Sequence, residues 1–234
     1  MTSMHQYFIR SVGLMLLLLA SAVALSSESF PGHAPDRDLI KTQRKVDKLF
    51  EKGDYERALF IYRDELAPLG DKFAQYMVGY MHYSGRGVPK DRISASAWYR
   101  LAAERGEKSF VKVRDVLHGL LNDEQRSRAD NIYVELRSEM GDIVLIIGLI
   151  NQDVEILRQR RGNEAIFGNT FERSNFGHNV TKYQEAADRL EERINYLVQI
   201  AATDQFISDA ERSRVDILVA NGRRDIDAFR SSLN

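Results

Sequence analysis

The sequence contains no cysteine among its 234 residues. A chain without thiols has no disulfide bonds, no thiolate nucleophile, no iron–sulfur cluster and no cysteine-ligated zinc. Proline is also scarce, with 4 residues against 15 glycines, which favours long helices over many short strands. The formal net charge is −1, so the basic excess typical of nucleic-acid-binding proteins is missing. Hydrophobic residues make up 44% and charged residues 29%, a composition typical of globular proteins.

Residues 1–24 have the pattern of a secretory signal peptide. Arg10 supplies the positive start, and residues 20–22 (Ala-Ser-Ala) fit the small-x-small cleavage rule. The apolar run 12–25 has 14 residues, whereas a helix needs about 20 to cross a bilayer. We therefore expect a periplasmic or secreted protein with no membrane span after signal cleavage. The alternative is an uncleaved signal that anchors the chain to the inner membrane. Residues 25–38 are polar and contain two prolines, which predicts a short disordered lead-in.

An internal repeat occupies the middle of the chain. A shift of 36 residues carries Tyr62 onto Trp98 and Gly70 onto Gly106. A further shift of 35 residues carries Gly106 onto Gly141. Similarity at a fixed period of this length predicts stacked helix-turn-helix units, because one helix pair cannot bury its own apolar stripe.

Apolar residues within the repeat recur at spacings of three and four, the period of a helix and not of a strand. Glycines occur at the ends of these apolar segments, where they indicate helix ends. The predicted helices span residues 39–52, 55–66, 72–83 and 92–104.

One unit of the repeat carries a specific motif. Its members, in order along the chain, are Gly79, Gly85, Gly87, Asp91, Trp98, Ala102, Ala103 and Gly106. They resemble the Sel-one-like (Sel1-like) repeat, a relative of the tetratricopeptide repeat, over one full unit and flanking half-units, roughly residues 39–141. Two features depart from the family pattern: Ser94 stands where the family prefers lysine, and the first unit lacks the Gly-x-Gly-Val loop. The resemblance implies a short all-α solenoid that binds proteins.

The motif residues are expected to have structural roles. Gly79 should let neighbouring helices approach closely, and Gly85 and Gly87 should permit the reversal between them. Trp98 should fill the space between the helices. Ala102 and Ala103 are small residues at the position where the next repeat unit is expected to pack.

The last third of the chain also predicts helices, although it carries no recognisable motif. The run 143–150 is apolar and β-branched, so a buried strand is the alternative there. Residues 162–178 lack a clear period and predict a long loop, which is often functional or mobile. The predicted helices are 123–140, 142–161, 180–202 with Asn179 as N-cap, 208–220 and 225–233.

Two groups of aromatic residues are candidates for partner binding. Tyr76, Tyr80 and Tyr83 share one face of a helix, and in related repeats the first helix of each unit lines the groove that contacts peptides. Phe167 and Phe171 lie in the predicted loop. The competing interpretation is that the tyrosines are half-buried repeat aromatics and that the phenylalanines pin the loop to the core.

Catalytic and metal-binding motifs are not found in the sequence. It has no nucleophile elbow, phosphate-binding loop, dinucleotide fingerprint or zinc-protease helix. Its five histidines are too scattered for local metal spacing, and His82 and His118, 36 residues apart, are interpreted as packed or surface histidines. No catalytic residue, cofactor or metal is therefore predicted.

The predicted order is a signal peptide (1–24), a lead-in (25–38), a repeat region (39–121), and a degenerate capping unit with a C-terminal helical extension (122–234). The predicted function is a non-catalytic protein–protein interaction scaffold of the bacterial envelope, with a protein or peptide partner and no nucleic acid. One alternative is an envelope enzyme or ligand-binding protein with its site at 162–178. Another is a structural subunit that packs only with copies of itself.

Overall fold

The computed structural model describes residues 37–167, 172–204 and 207–233. Helices account for nearly all of these residues and no strand occurs among them, which confirms the all-α prediction. The predicted signal peptide and most of the lead-in lie outside the described residues. The helices are α1 Arg37–Glu51, α2 Tyr55–Phe60, α3 Lys72–Ser84, α4 Arg92–Ala102, α5 Lys108–Gly119, α6 Asp123–Met140, α7 Asp142–Phe167, α8 Glu172–Thr203 and α9 Asp209–Ser231.

The 36-residue period is visible in the backbone. Gly70 and Gly106 both adopt left-handed conformations, with φ of 77° and 73°, after a short 3-10 turn. The next residue then caps a helix: Asp71 accepts a hydrogen bond from the amide of Ala74 at 3.0 Å. Its counterpart Glu107 caps α5 in the same way. These side chains satisfy amides that a helix start leaves without partners.

The periodicity weakens beyond α6. Gly141 has an ordinary φ of −71°. A helix begins shortly after Gly141, as one does after Gly106, but the left-handed turn seen at Gly106 is not repeated there. The first unit also deviates, because α2 continues as a wider π-helical turn, Ile61–Leu66. Tyr62, in that turn, donates a hydrogen bond to Asp47 of α1 at 3.1 Å.

The buried apolar side chains form two cores. The first extends from Val46 to Met140, and α3 packs along α4 within it while α4 also packs on α6. The second extends from Ile143 to Phe229, and α7, α8 and α9 pack on one another around it. The boundary between the two cores therefore falls at the start of α7.

The helix predicted over the run 143–150 is confirmed, whereas three other predictions for the last third are wrong: the loop at 162–178, the N-cap at Asn179 and a helix break. The run 143–150 is helical, which excludes the strand alternative. Most of the predicted loop 162–178 is helical, because α7 extends to Phe167 and α8 already begins at Glu172. Asn179 consequently lies inside α8, where no helix begins.

The third wrong prediction is the break at Asn221-Gly222. Helix α9 passes through these residues without interruption. Gly222 faces α8, where an added Cβ would come within 2.6 Å of the Ile194 side chain. Close packing of α8 on α9 thus explains a glycine that sequence reasoning took for a helix end.

Candidate functional site

The loop between α3 and α4 packs against the start of α2. Gly85 and Gly87 have φ of 73° and 72°, a region that residues with a side chain rarely adopt. An added Cβ at Gly87 would lie 2.5 Å from the carbonyl oxygen of Tyr55. Only glycine allows this close approach, so the loop and the preceding repeat unit are held in fixed register.

The remaining motif residues lie between α3 and α4 or at their ends. Asp91 caps α4, accepting a hydrogen bond from the amide of Ile93 at 2.8 Å. Gly79 contacts the ring of Tyr99, and an added Cβ would approach that ring to 2.7 Å. The side chains of Trp98, Ala102 and Ala103 are buried.

The three candidate tyrosines of α3 are core residues. Tyr76 is 1% exposed, Tyr83 7% and Tyr80 8%. The ring of Tyr76 lies 5.2 Å, centroid to centroid, from the rings of both Tyr99 and Phe110. Side chains this buried offer a partner almost no ring surface, so the structure does not support partner contacts through the rings of Tyr76, Tyr80 and Tyr83. The hydroxyl of Tyr80, in contrast, is not among the buried atoms that lack a hydrogen-bond partner, so it reaches the surface.

The two candidate phenylalanines are not tested by the structure. The side chain of Phe167 and the whole of Phe171 lie outside the described residues. Their predicted role in partner binding therefore stays a prediction.

Beside the buried tyrosines lies a feature that the sequence analysis missed. The guanidinium carbon of Arg86 lies 5.0 Å from the ring centroid of Tyr55, 5.3 Å from that of Tyr80 and 5.5 Å from that of Phe50. We call these four residues the Arg86 cradle. Cations are attracted to aromatic faces, so the cradle holds the arginine head in place. The available signal was an arginine at the variable position of the Gly-x-Gly loop.

A second missed feature is a buried ionic cluster between the two cores. Asp142, at the start of α7, accepts hydrogen bonds from Arg105 at 2.9 and 3.1 Å and pairs with the Lys72 ammonium at 3.0 Å. Lys72 also pairs with Glu104 at 2.8 Å. The amide of Asp142 donates to Glu104 at 3.1 Å. We call Lys72, Glu104, Arg105 and Asp142 the junction cluster.

Helices from both cores extend this cluster. Tyr133 of α6 donates to Glu104 at 3.2 Å, and Tyr196 of α8 donates to Asp142 at 3.3 Å. Burial alone would raise the pKa of Asp142, but the nearby charges of Lys72 and Arg105 outweigh it and hold that pKa below its usual value. Asp142 is therefore ionised at neutral pH and contacts charged or polar side chains on both sides of the boundary between the cores.

Metal-ligating side chains do not assemble within the described ranges. No group of three or more histidine, aspartate or glutamate residues is placed there to hold an ion.

Burial lowers the pKa of His82, and this effect outweighs the opposing influence of the nearby Asp91 carboxylate. Within the part of the chain that the structure describes, no helix combines the length and the apolar character needed to cross a bilayer.

The geometry so far defines a protein of stacked antiparallel helix pairs with glycine-mediated turns. Comparison with known families makes this more specific, since the Sel1 repeat model matches residues 72–107. The chain therefore contains a Sel1 repeat, formed by α3, α4 and the turn after them, which confirms the resemblance seen in the sequence. Sel1 repeats are generally protein–protein interaction modules and are typically not enzymes. No curated protein and no solved structure matches the chain.

Proposed function

We propose that this protein is a non-catalytic protein–protein interaction scaffold of the bacterial envelope. The observation that carries the proposal is the Sel1 repeat at residues 72–107, a class of repeat that generally binds proteins. The repeat packs within a continuous core that extends from Val46 to Met140. A rigid platform of this kind presents loops and helix faces to a partner with little loss of conformational entropy.

The proposed location rests on the amino-terminal sequence. Residues 1–24 direct the chain across the inner membrane and are removed, leaving a periplasmic or secreted protein. Cell fractionation and the intact mass of the purified protein test this directly. Recovery in the periplasm or medium, with a mass that lacks the signal, supports the proposal. Recovery in the inner membrane at full mass supports the uncleaved anchor instead, and recovery in the cytoplasm contradicts both.

Protein binding is tested by crosslinking in intact cells that produce the full chain. A photoreactive residue is placed at Glu56, an exposed position of α2, and a second at Asp216 on the exposed face of α9. A discrete crosslinked partner at Glu56, identified by mass spectrometry and absent from the Asp216 control, is expected. Crosslinks only between copies of this chain, together with a dimer mass by light scattering, would favour the self-packing subunit. No crosslink at either position would contradict the scaffold.

The catalytic alternative placed its site in a loop at 162–178. All of the residues that the structure describes in that segment are helical, so the long loop that motivated the alternative is not found there. No observation favours this alternative over the scaffold. A panel of peptidase, esterase and glycosidase substrates should give no turnover with the purified protein, and turnover that co-purifies with the chain would contradict a non-catalytic role.

A further inference from the structure

The Arg86 cradle presents a positive charge that no described residue neutralises. Arg86 makes no hydrogen bond through its side chain and has no carboxylate within ion-pair distance among the residues the structure describes. Its guanidinium nitrogens are not among the buried unpaired atoms, so they reach solvent. Arg100 shows the ordinary arrangement, since it lies over the ring of Tyr133 and also pairs with Asp130. Arg86 has the aromatic contacts without the anion.

The backbone fixes the position of this charge. The amide of Arg86 donates to the carbonyl of Met81 at 3.0 Å, which continues the end of α3. On the other side, Gly87 packs against the backbone of Tyr55. The aromatic faces then confine the guanidinium, so little side-chain entropy remains to be lost when an anion binds.

Two phenol groups accompany the guanidinium. The hydroxyls of Tyr55 and Tyr80 make no hydrogen bond to a described residue, and neither is among the buried unpaired atoms. Burial raises the pKa of Tyr80, which keeps its phenol protonated and able to donate at neutral pH. The three rings lie within 5.5 Å of the guanidinium carbon, and no described acceptor takes its N–H groups, so these donors remain for an anion.

We propose that Arg86, with the hydroxyls of Tyr55 and Tyr80, binds a carboxylate of the partner polypeptide. The proposal rests on the proposed function and adds the chemistry of recognition to it. A guanidinium fork matches the two oxygens of a carboxylate in a bidentate pair. No second described cation lies over these rings, so the site matches a single negative charge. An Asp or Glu side chain and a chain terminus both supply this group.

The test is a titration of the full-length mature protein, followed by NMR at the Arg86 Nε–Hε signal and the tyrosine ring signals. One probe is the capped peptide acetyl-Gly-Gly-Glu-Gly-Gly-amide, and its neutral control has Gln in place of Glu. A second probe is acetyl-Gly-Gly-Ala with a free terminus, and its control is the terminal amide. Saturable chemical-shift changes with the Glu peptide, and not with its Gln control, identify a side-chain carboxylate as the ligand. Saturable changes with the free-terminus peptide, and not with its amide control, identify a chain terminus. Equal shifts with the neutral controls, or shifts with inorganic phosphate alone, overturn the proposal.

Variants locate the binding. Arg86→Gln should lower the affinity for the acidic peptide about tenfold or more, because a charge-assisted bidentate pair is lost. Tyr80→Phe keeps the ring and removes the hydroxyl, so a loss of about three- to tenfold is expected even if Arg86→Gln folds poorly. Arg57→Gln, at a solvent-exposed arginine of α2, is the matched control and should bind like the parent protein.

The two proposals fail in different ways. If crosslinking captures a partner with the parent protein and equally with Arg86→Gln, the scaffold stands and the carboxylate site is wrong. If the parent protein captures no partner, the scaffold is wrong. Loss of the captured partner in Arg86→Gln, with retention in Arg57→Gln, supports both.

Discussion

At the scale of single residues, Gly87 has the most demanding position in the repeat. It combines a positive φ of 72° with a backbone contact that leaves no room for a side chain. Gly106, at the end of the same repeat, has a nearly identical φ of 73° but nothing within 4 Å of an added Cβ. The two glycines therefore separate the effect of conformation from that of close packing.

We expect Gly106→Ala to lower the free energy of unfolding by about 1 kcal/mol, the cost of left-handed backbone for a residue with a Cβ. Gly87→Ala should cost about 1–3 kcal/mol more, because the loop must move away from Tyr55. Equilibrium urea unfolding, followed by the fluorescence of the single tryptophan, Trp98, measures both. An equal decrease in the free energy of unfolding in the two variants would show that the loop moves away from Tyr55 at no energetic cost.

At the scale of helices, the bounds were predictable where a side-chain cap marks the helix start. The bounds predicted for α3 and α6 match the structure to within one residue, because an aspartate or asparagine cap marks each start. Local sequence failed in α9, where Asn221-Gly222 has the composition of a turn. Packing of Gly222 against Ile194 outweighs that local preference, and such a contact between distant segments leaves no mark in the local pattern.

Glycines inside helices α7 and α9 give a second matched pair. Gly148 lies in α7 with nothing within 4 Å of an added Cβ, so Gly148→Ala should stabilise the protein by about 0.5–1 kcal/mol. Gly222→Ala gains the same helical preference but pushes on the buried side chain of Ile194. We expect this variant to show no gain, or a net loss. Thermal unfolding by circular dichroism ranks the two, and equal stabilisation would mean that Ile194 repacks freely.

At the scale of the whole molecule, the junction cluster joins two apolar cores that otherwise lie on either side of Gly141. Arg105 and Asp142 are 37 residues apart, and Tyr196 is 54 residues beyond Asp142. No local spacing rule connects residues at such separations, so the sequence could not predict the cluster. The Arg86 cradle escaped prediction for the same reason, because its rings come from α1, α2 and α3.

The junction cluster predicts a loss of stability in acid. The pKa of Asp142 is lowered by folding, so the unfolded chain binds its proton first as the pH falls. The stabilisation is complete above the ordinary aspartate pKa of about 4 and is lost progressively below it. Urea unfolding at a series of pH values should show this decline. The free energy of unfolding should fall less steeply with decreasing pH in Asp142→Asn than in the parent protein. An identical pH dependence in that variant would assign the acid sensitivity to other carboxylates.

Removing the charge at Asp142 also tests whether the cluster couples the two cores. Asp142→Asn leaves Arg105 buried without its carboxylate partner, and breaking a buried pair in this way costs about 3–5 kcal/mol. The control is Asp130→Asn, whose carboxylate is 47% exposed and pairs with Arg100. An ion pair with a partner this exposed should contribute no more than about 1 kcal/mol. In hydrogen exchange, Asp142→Asn should increase exchange in α7 and α8 more than in α3 and α4, because the second core loses its attachment to the repeat. A uniform increase across all helices would mean that the cores unfold as one unit and that the cluster adds stability without coupling them.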